Sequence, residues 1–339
     1  MRSRAEWQDH PQGRAVAELP LIGLDRLGHV GAEVGSGGLA RAGAGVGLDP
    51  LGGAAAGAGA GAGGRVAAGA ECGSGGRDGA AVREGRWLEG VRVVDLTRVI
   101  AGPVATRTLA AYGAEVLRVG AAHLPEVPGL VISTAFGKRS CELDLRTEDG
   151  AAAFRELVAG ADVVVQSYRP GALAALGFGP EELAAIRPGI VCVDISAYGS
   201  RGPWAGRRGF DSLVQMACGI AHEGGAGGKP VPLPAQVLDH ATGWLAALGV
   251  IAGLLRREAE GGSWQVEVAL ARTALWLDGL GRVDGTVRSE PEVDDLLVEI
   301  ESPFGRLTYV RVPGKIGGVR PSWGSPPPRR GEHPAAWTY

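Results

Sequence analysis

Aromatic side chains are scarce in this sequence, at 5 % of 339 residues. A core must therefore be built mainly from alanine, valine and leucine, and the 45 % hydrophobic content is typical of a globular domain. An excess of charge of either sign is also lacking, since 34 lysines and arginines face 37 aspartates and glutamates. Because this balance offers no basic surface for nucleic acid or an anionic membrane, we expect neither as a partner.

Cysteine pairs and long apolar runs are lacking as well. The absence of any CxxC pair argues against a disulfide scaffold or a zinc site, so we expect no metal and a reducing, cytoplasmic compartment. The longest apolar run, 241–255, is shorter than the roughly 18 to 20 residues that a bilayer requires, and it predicts a buried helix. The N-terminus shows no secretory signal. The four cysteines are Cys72, Cys141, Cys192 and Cys218.

A stretch rich in glycine and alanine divides the chain. Residues 30–85 have little to bury and much backbone entropy to lose, which predicts a flexible insert. Its GxGxxG match at Gly59, Gly61 and Gly64 has no strand before it and no apolar helix after it, so we exclude a dinucleotide site there. Residues 1–29 form a short N-terminal segment with the texture of a helix and a strand.

Short apolar runs alternate with helix-like segments over residues 86–282. This alternation predicts βαβ units and an α/β, doubly wound, mostly parallel sheet of the Rossmann-like kind. Residues 283–339 are expected to form a short closing segment. The predicted strands are 91–96, 115–119, 141–145, 162–166, 190–195 and 264–270, and the predicted helices are 105–114, 150–161, 179–187, 211–219, 239–258 and 270–281.

Standard catalytic motifs such as GxSxG, HExxH and a P-loop are lacking, and His222 and His240 fit ordinary surface or core histidines. Asp239, which directly precedes the long apolar helix, is the informative residue. Its local pattern is that of an N-cap, where a carboxylate accepts hydrogen bonds from free amides and complements the helix dipole. A carboxylate at that place is expected to stay ionised, which is also what a nucleophilic aspartate requires.

Seven blocks between Leu88 and Leu277 resemble, in order, the large domain of the class III coenzyme A transferases. That family includes formyl-CoA and carnitine-linked transferases and the α-methylacyl-CoA racemases. The blocks are LEGVRVVDLTRVIAGP, AYGAEVLRV, GKRSCELDL, ADVVVQSYRPGALAALGF, RRGFDSLVQMACG, VLDHATGWLAALGVIAGLLRRE and GGSWQVEVAL.

The resemblance implies that Asp239 attacks an acyl-CoA thioester, forms a mixed anhydride and then an aspartyl thioester, and passes CoA to a carboxylic acid acceptor. It gives Asp211 a supporting role, although Asp211 could equally be a helix cap. It also implies a homodimer. Contacts with coenzyme A are implied for Arg98, Val99, Ile100, Ala101, Leu143, Arg146, Ser167, Tyr168 and Arg208.

Departures from the family pattern leave alternatives open. Phe210 stands where the racemases carry a histidine, so proton transfer by that pair is disfavoured. Only 58 residues follow Gly281, so we expect the family's small domain to be absent or reduced. Ser167 replaces the usual asparagine, and residues 120–122 lack a frequent basic residue. The alternatives are an acyl-CoA racemase, isomerase or lyase, and a catalytically degenerate CoA-binding homologue.

Overall fold

A computed structural model describes residues 2–27, 85–225, 229–282 and 292–338. Apart from Gly85, the insert predicted over 30–85 lies outside the described residues, and with it lie its GxGxxG match and Cys72. The other three cysteines are free and buried: Cys141, Cys192 and Cys218.

Seven strands form the main sheet, in the order β1-β7-β6-β5-β2-β3-β4. β1 pairs antiparallel with β7, and the other six strands are parallel. Strand order reverses between β2 and β5, as in doubly wound sheets. This confirms the predicted α/β class and mostly parallel sheet. The strands are β1 (Gly23–Arg26), β2 (Arg92–Leu96), β3 (Glu115–Gly120), β4 (Lys138–Glu142), β5 (Val163–Gln166), β6 (Val191–Ser196) and β7 (Trp264–Ala269).

Ten α-helices and two short 3-10 helices are present in the described parts of the chain, and a separate antiparallel hairpin is formed by β8 (Leu297–Ser302) and β9 (Gly305–Val310). The 3-10 helices are Ala174–Leu176 and Asp294–Leu296. The α-helices are α1 (Arg4–Asp9), α2 (Pro11–Ala17), α3 (Ala101–Ala111), α4 (Pro128–Thr134), α5 (Glu148–Ala159), α6 (Pro180–Ile186), α7 (Asp211–Ala217), α8 (Ile220–Glu223), α9 (Val237–Glu260) and α10 (Leu270–Gly279).

Two hydrophobic cores lie on opposite faces of the sheet. Successive side chains of a strand point to opposite faces. Val163 and Val165 of β5 therefore join the core that includes α3 and α9, whereas Val164 joins the core that includes α5 and α6. A sheet covered by helices on both faces is what the alternation of strands and helices predicts.

Helix α9 is, in the described part of the chain, the one helix whose length and mean hydropathy would allow it to cross a bilayer. Half of its most apolar window is buried, and it packs against α3, β6 and β7. A core helix passes the same test, and this burial agrees with the buried helix predicted around 241–255.

Two elements, β4 and α3, differ from the prediction by three residues or more, and the other predicted boundaries agree to within two residues. β4 occupies Lys138–Glu142 and not 141–145, because the charges of Lys138 and Arg139 are paired with Asp95 (2.9 Å) and Glu115 (3.1 Å) and can therefore lie in a strand. α3 begins at Ala101 and not near residue 105. Pro103 is tolerated there because the first helical turn does not need its N–H.

The described terminal segments cover both edges of the parallel strands. Residues 23–26 add β1 beside β7. At the other edge, the chain after β9 runs along β4, where the His333 N–H donates to the Ser140 carbonyl oxygen (2.8 Å). Covering the edges leaves fewer unpaired backbone groups to seek other chains.

Candidate active site

The carboxyl ends of β2 and β5 form the place where strand order reverses. Ligands of open α/β sheets bind in the crevice outside this point. The loop after β2 carries Arg98, Val99 and Ile100 and leads into Ala101, the first residue of α3. Ser167 and Tyr168 directly follow β5, and the Arg98 guanidinium carbon lies 5.5 Å from the centre of the Tyr168 ring. The structure therefore brings these six predicted site residues together.

Val99 has a strained backbone. Its φ of +74° makes it the one non-glycine residue with a positive φ among the described residues. A β-branched side chain rarely adopts this left-handed conformation, and such strain persists only where the surrounding structure enforces it. Strained residues concentrate at functional sites, and Val99 lies at the point of strand reversal.

Asp239 is the third residue of α9, so the N-cap interpretation is wrong. Gln236 occupies the N-cap position and its side chain makes no capping hydrogen bond. The capping acceptor comes from a different helix, because the backbone N–H of Asp239 donates to Asp211 Oδ2 at 3.0 Å. Asp211 is the first residue of α7 and also accepts from the Gln215 side chain. Asp211 thus supports the helix that carries Asp239.

Burial controls the charge state of Asp239. The residue is 6 % exposed, and burial, together with the nearby Asp211 carboxylate, raises the pKa of Asp239 to about 7. The expectation that a helix N-terminus keeps this carboxylate fully ionised is therefore wrong, because desolvation outweighs the helix dipole here. A carboxyl group with a pKa near neutrality can exist in both protonation states at physiological pH.

The helix turn that bears Asp239 lies against the first turn of α3. Gly243 stands one turn after Asp239, and a Cβ atom at Gly243 would lie only 2.6 Å from the Ala101 carbonyl oxygen and 2.9 Å from Val104 Cβ. Glycine is required for so close an approach of the two backbones. The start of α9 and the Arg98–Ala101 segment are therefore neighbours at the carboxyl ends of the parallel strands.

The remaining predicted residues lie on two other segments of the chain, and Leu143 packs against the same hydrophobic core as Tyr168. Leu143 and Arg146 follow β4, two strands beyond β2, and the Arg146 side chain binds Asp144 through Nε (2.8 Å) and Nη2 (2.7 Å). Arg208 is exposed in the segment before α7. Their contacts with CoA stay predictions. Within the described ranges, no three His, Cys, Asp or Glu side chains are grouped closely enough to hold a metal ion.

A buried network beneath the β2 loop was not identified as part of the site from the sequence. Lys138 Nζ donates to Asp95 Oδ2 (2.9 Å), to Thr106 Oγ1 (2.7 Å) and to the Pro103 carbonyl oxygen (3.0 Å). Asp95 also accepts from the backbone N–H of Thr97 (2.9 Å). The available signal was an aspartate inside the apolar run VRVVDL, since aspartate is almost never fully buried unless it is paired.

Comparison with known proteins identifies relatives of this chain. The probable fatty acyl-CoA transferase Rv3272 of Mycobacterium tuberculosis is 36 % identical over 204 residues, which cover 56 % of this chain and 52 % of that protein. The acetyl-coenzyme A transferase nodX of Hypoxylon pulicicidum is 37 % identical over 199 residues, covering 57 % and 34 %. The chain thus spans about half or less of the length of the curated relatives that it matches.

The fold has a solved counterpart. The crystal structure of Rv3272 in its orthorhombic form superposes with a TM-score of 0.67 and 25 % identity, over 74 % of this chain and 98 % of that chain. The model of the family described as CoA-transferase family III matches residues 88–282, which is more than half of the sequence and includes the β2 loop, Asp211 and Asp239. The chain belongs to CoA-transferase family III.

Proposed function

We propose that this chain is an acyl-CoA transferase that moves CoA between carboxylic acids, with Asp239 as its nucleophile. The observation that carries the proposal is a buried carboxylate, with a pKa near neutrality, beside the strained loop at the point of strand reversal. Family membership supports the reaction class.

The proposed reaction runs through covalent intermediates on Asp239. The ionised carboxylate attacks the thioester carbonyl carbon, the C–S bond breaks, and a mixed anhydride and free CoA thiolate result. The thiolate then attacks the Asp239 carbonyl carbon of the anhydride, which releases the donor acid and leaves an aspartyl thioester. An acceptor carboxylate attacks this thioester to form a second anhydride and thiolate. The thiolate finally attacks the acceptor's acyl carbon, giving the new acyl-CoA and restoring Asp239.

In this proposal the burial of Asp239 serves the chemistry. A carboxylate stripped of water is more reactive than a solvated one, and a pKa of about 7 leaves about half of the molecules ionised at neutral pH. Arg98 to Ala101, together with Ser167 and Tyr168, would contact CoA from the loops after β2 and β5. Arg146 and Arg208 are proposed phosphate contacts, for which Arg146 would have to leave Asp144.

The proposal is tested by isotope exchange between acyl-CoA and free acid. Acetyl-CoA with labelled acetate and a fatty acyl-CoA with its labelled acid are suitable, since relatives are named as an acetyl-coenzyme A transferase and a probable fatty acyl-CoA transferase. We expect label to enter acyl-CoA, and hydroxylamine added during turnover to form a hydroxamate on Asp239, seen by peptide mass spectrometry. Exchange with Asp239 unmodified under hydroxylamine would reject the covalent mechanism.

Two further measurements on the same protein distinguish acyl transfer from two alternative functions. Deuterium uptake at the substrate α-carbon without an acceptor acid would favour a racemase or isomerase, although Phe210 is 62 % exposed and offers no proton at that position. A CoA-binding homologue without turnover is the second alternative. Heat released on titration with CoA, together with absent exchange, would support that alternative.

We also propose a homodimer, in which α9 contributes to the interface. Trp244, Leu248 and Leu255 project from α9 at spacings of four and seven residues and are 39 %, 43 % and 66 % exposed. Residues so spaced share one helix face, and a contiguous apolar face is typical of interaction surfaces.

The homodimer proposal predicts that Leu248→Arg converts the protein from dimer to monomer in sedimentation velocity. The matched control is Leu176→Arg, which changes a leucine of similar exposure (39 %) in the 3-10 helix Ala174–Leu176 and should leave the dimer intact. An unchanged dimer in Leu248→Arg would exclude α9 from the interface.

A further inference from the structure

The ion pair of Asp95 and Lys138 is buried completely. Both side chains are at 0 % exposure, unlike every other ion pair in the described part of the chain, and Nζ to Oδ2 is 2.9 Å. A buried pair is weak evidence for stability, because well-packed apolar residues can often replace it without loss. Its presence therefore calls for another role, such as specifying one local conformation.

The pair makes hydrogen bonds to residues at both ends of the loop after β2. At the entrance, Asp95 Oδ1 accepts from the backbone N–H (2.9 Å) and the hydroxyl of Thr97. At the exit, Lys138 Nζ donates to the Pro103 carbonyl oxygen (3.0 Å). Thr106 closes the network, since its hydroxyl accepts from Lys138 (2.7 Å) and donates to Asp95 Oδ2 (2.6 Å). One charge pair thus fixes the residues on either side of 98–102.

The two ends of this loop also lie in close contact. A Cβ atom at Gly102 would lie 2.3 Å from Thr97 Cβ, so the two ends of the loop touch. Val99 lies midway between them with its φ of +74°. A strained residue keeps such a conformation only when its surroundings over-determine it, and the two anchored ends supply that restraint.

We propose that Asp95 and Lys138 are positioning residues. They hold residues 98–102, which comprise the loop after β2 and the first two residues of α3, and Val99 in particular, in the conformation that receives acyl-CoA beside Asp239. The inference rests on the proposed function for the identity of the ligand. The restraint on the loop itself depends only on the hydrogen bonds and distances given above.

The test replaces both charged residues of the pair with apolar residues of similar volume. Single replacement of Lys138 would leave a buried aspartate unpaired, so the variant to make is Asp95→Leu/Lys138→Met, which should fold with a melting temperature near that of the wild type. Released at both ends, the loop should populate other conformations, and CoA affinity measured by calorimetry should fall at least about 10-fold. The control is Asp162→Leu/Arg257→Met. It removes an ion pair (2.9 Å) at the amino ends of the strands, where Asp162 directly precedes β5, and it should leave CoA affinity unchanged.

Rescue distinguishes positioning from a general structural effect. Added to Asp95→Leu/Lys138→Met, Val99→Gly should recover most of the lost affinity, because glycine adopts a positive φ without strain, whereas Val99→Ala should not. Unchanged affinity in the double variant, or equal results for glycine and alanine, would overturn the proposal.

Ligand-free crystal structures separate failure of this inference from failure of the proposed function. The wild type should show Val99 at a positive φ and Asp95→Leu/Lys138→Met should show it at a negative φ, whether or not the chain binds CoA or turns over. A positive φ in both would overturn the inference while leaving the proposed reaction untouched.

Discussion

Asp239→Asn should abolish acyl exchange and, at the same time, stabilise the folded chain at neutral and alkaline pH. Loss of a covalent nucleophile costs enzymes many orders of magnitude, and we expect exchange to fall at least about 10⁴-fold. The opposite effect on stability follows from the burial that makes the residue reactive. Few other substitutions would be expected to move activity and stability so far in opposite directions.

The sign of the stability effect comes from proton binding. The pKa of Asp239 rises from 3.8 to about 7 on folding, so between these values the folded state keeps a proton that the unfolded state has released. The stabilisation from the protonated acid is complete below pH 3.8 and is lost as pH rises through 7. Asparagine does not ionise, so the advantage of Asp239→Asn grows over this window to an upper limit of about 4 kcal/mol.

Urea denaturation of both proteins at pH 5.5 and pH 8 measures this effect. The free energy of unfolding of Asp239→Asn should exceed that of the wild type at both values, by about 2 kcal/mol more at pH 8 than at pH 5.5. An advantage that does not change with pH would contradict the raised pKa, and exchange at the wild-type rate would contradict the nucleophile.

Asp211→Asn provides a second arm of the same experiment. Its carboxylate helps to raise the pKa of Asp239, so removing the charge should lower that pKa. The rising limb of the exchange rate, which follows ionisation of Asp239, should then move to lower pH. If the rising limb of the exchange rate kept the same pH, the raised pKa of Asp239 would be due to burial alone.

Local patterns in the sequence were sufficient for the parallel strands of the fold, but not for the antiparallel β1 or the β8–β9 hairpin. Compact apolar runs of strand length and rich in valine, such as VRVVDL and DVVVQ, indicated buried strands, and the helix-like segments between them indicated parallel pairing. Parallel strands end at one edge, so Arg98 and Tyr168, 70 positions apart, were brought together by topology. The position of these two residues follows from the strand pattern, and the resemblance to the family indicates that their loops bind CoA.

Tertiary pairing accounts for what the sequence did not predict. Asp95 and Lys138 are 43 positions apart, and Asp211 and Asp239 are 28 apart, with no local pattern that couples them. The charge state of Asp239 was misjudged for the same reason. A helix N-terminus can be recognised in sequence, but desolvation depends on which distant elements cover the side chain.

Trp7→Ala should lower the free energy of unfolding by about 3 to 5 kcal/mol, the usual cost of removing a large buried aromatic side chain. Trp7 is 0 % exposed, and its ring centre lies 5.7 Å from that of Trp204 and 6.3 Å from that of Tyr198. Gln12, also fully buried, donates to the carbonyl oxygens of Tyr198 (2.9 Å) and Arg201 (2.8 Å). These contacts tie residues 2–27 to the loops after β6.

Chemical denaturation of three variants tests whether residues 2–27 unfold with the sheet. Trp87→Ala is the control, since Trp87 is 42 % exposed and should cost less than about 1 kcal/mol. Trp7→Phe should cost less than Trp7→Ala, because it keeps a ring and removes the indole N–H of Trp7, which is buried without a hydrogen-bond partner. If Trp7→Ala left the main transition unchanged, residues 2–27 would be an independently folding attachment. A single shifted transition would instead make β1 and the two N-terminal helices part of the cooperative unit that carries Asp239.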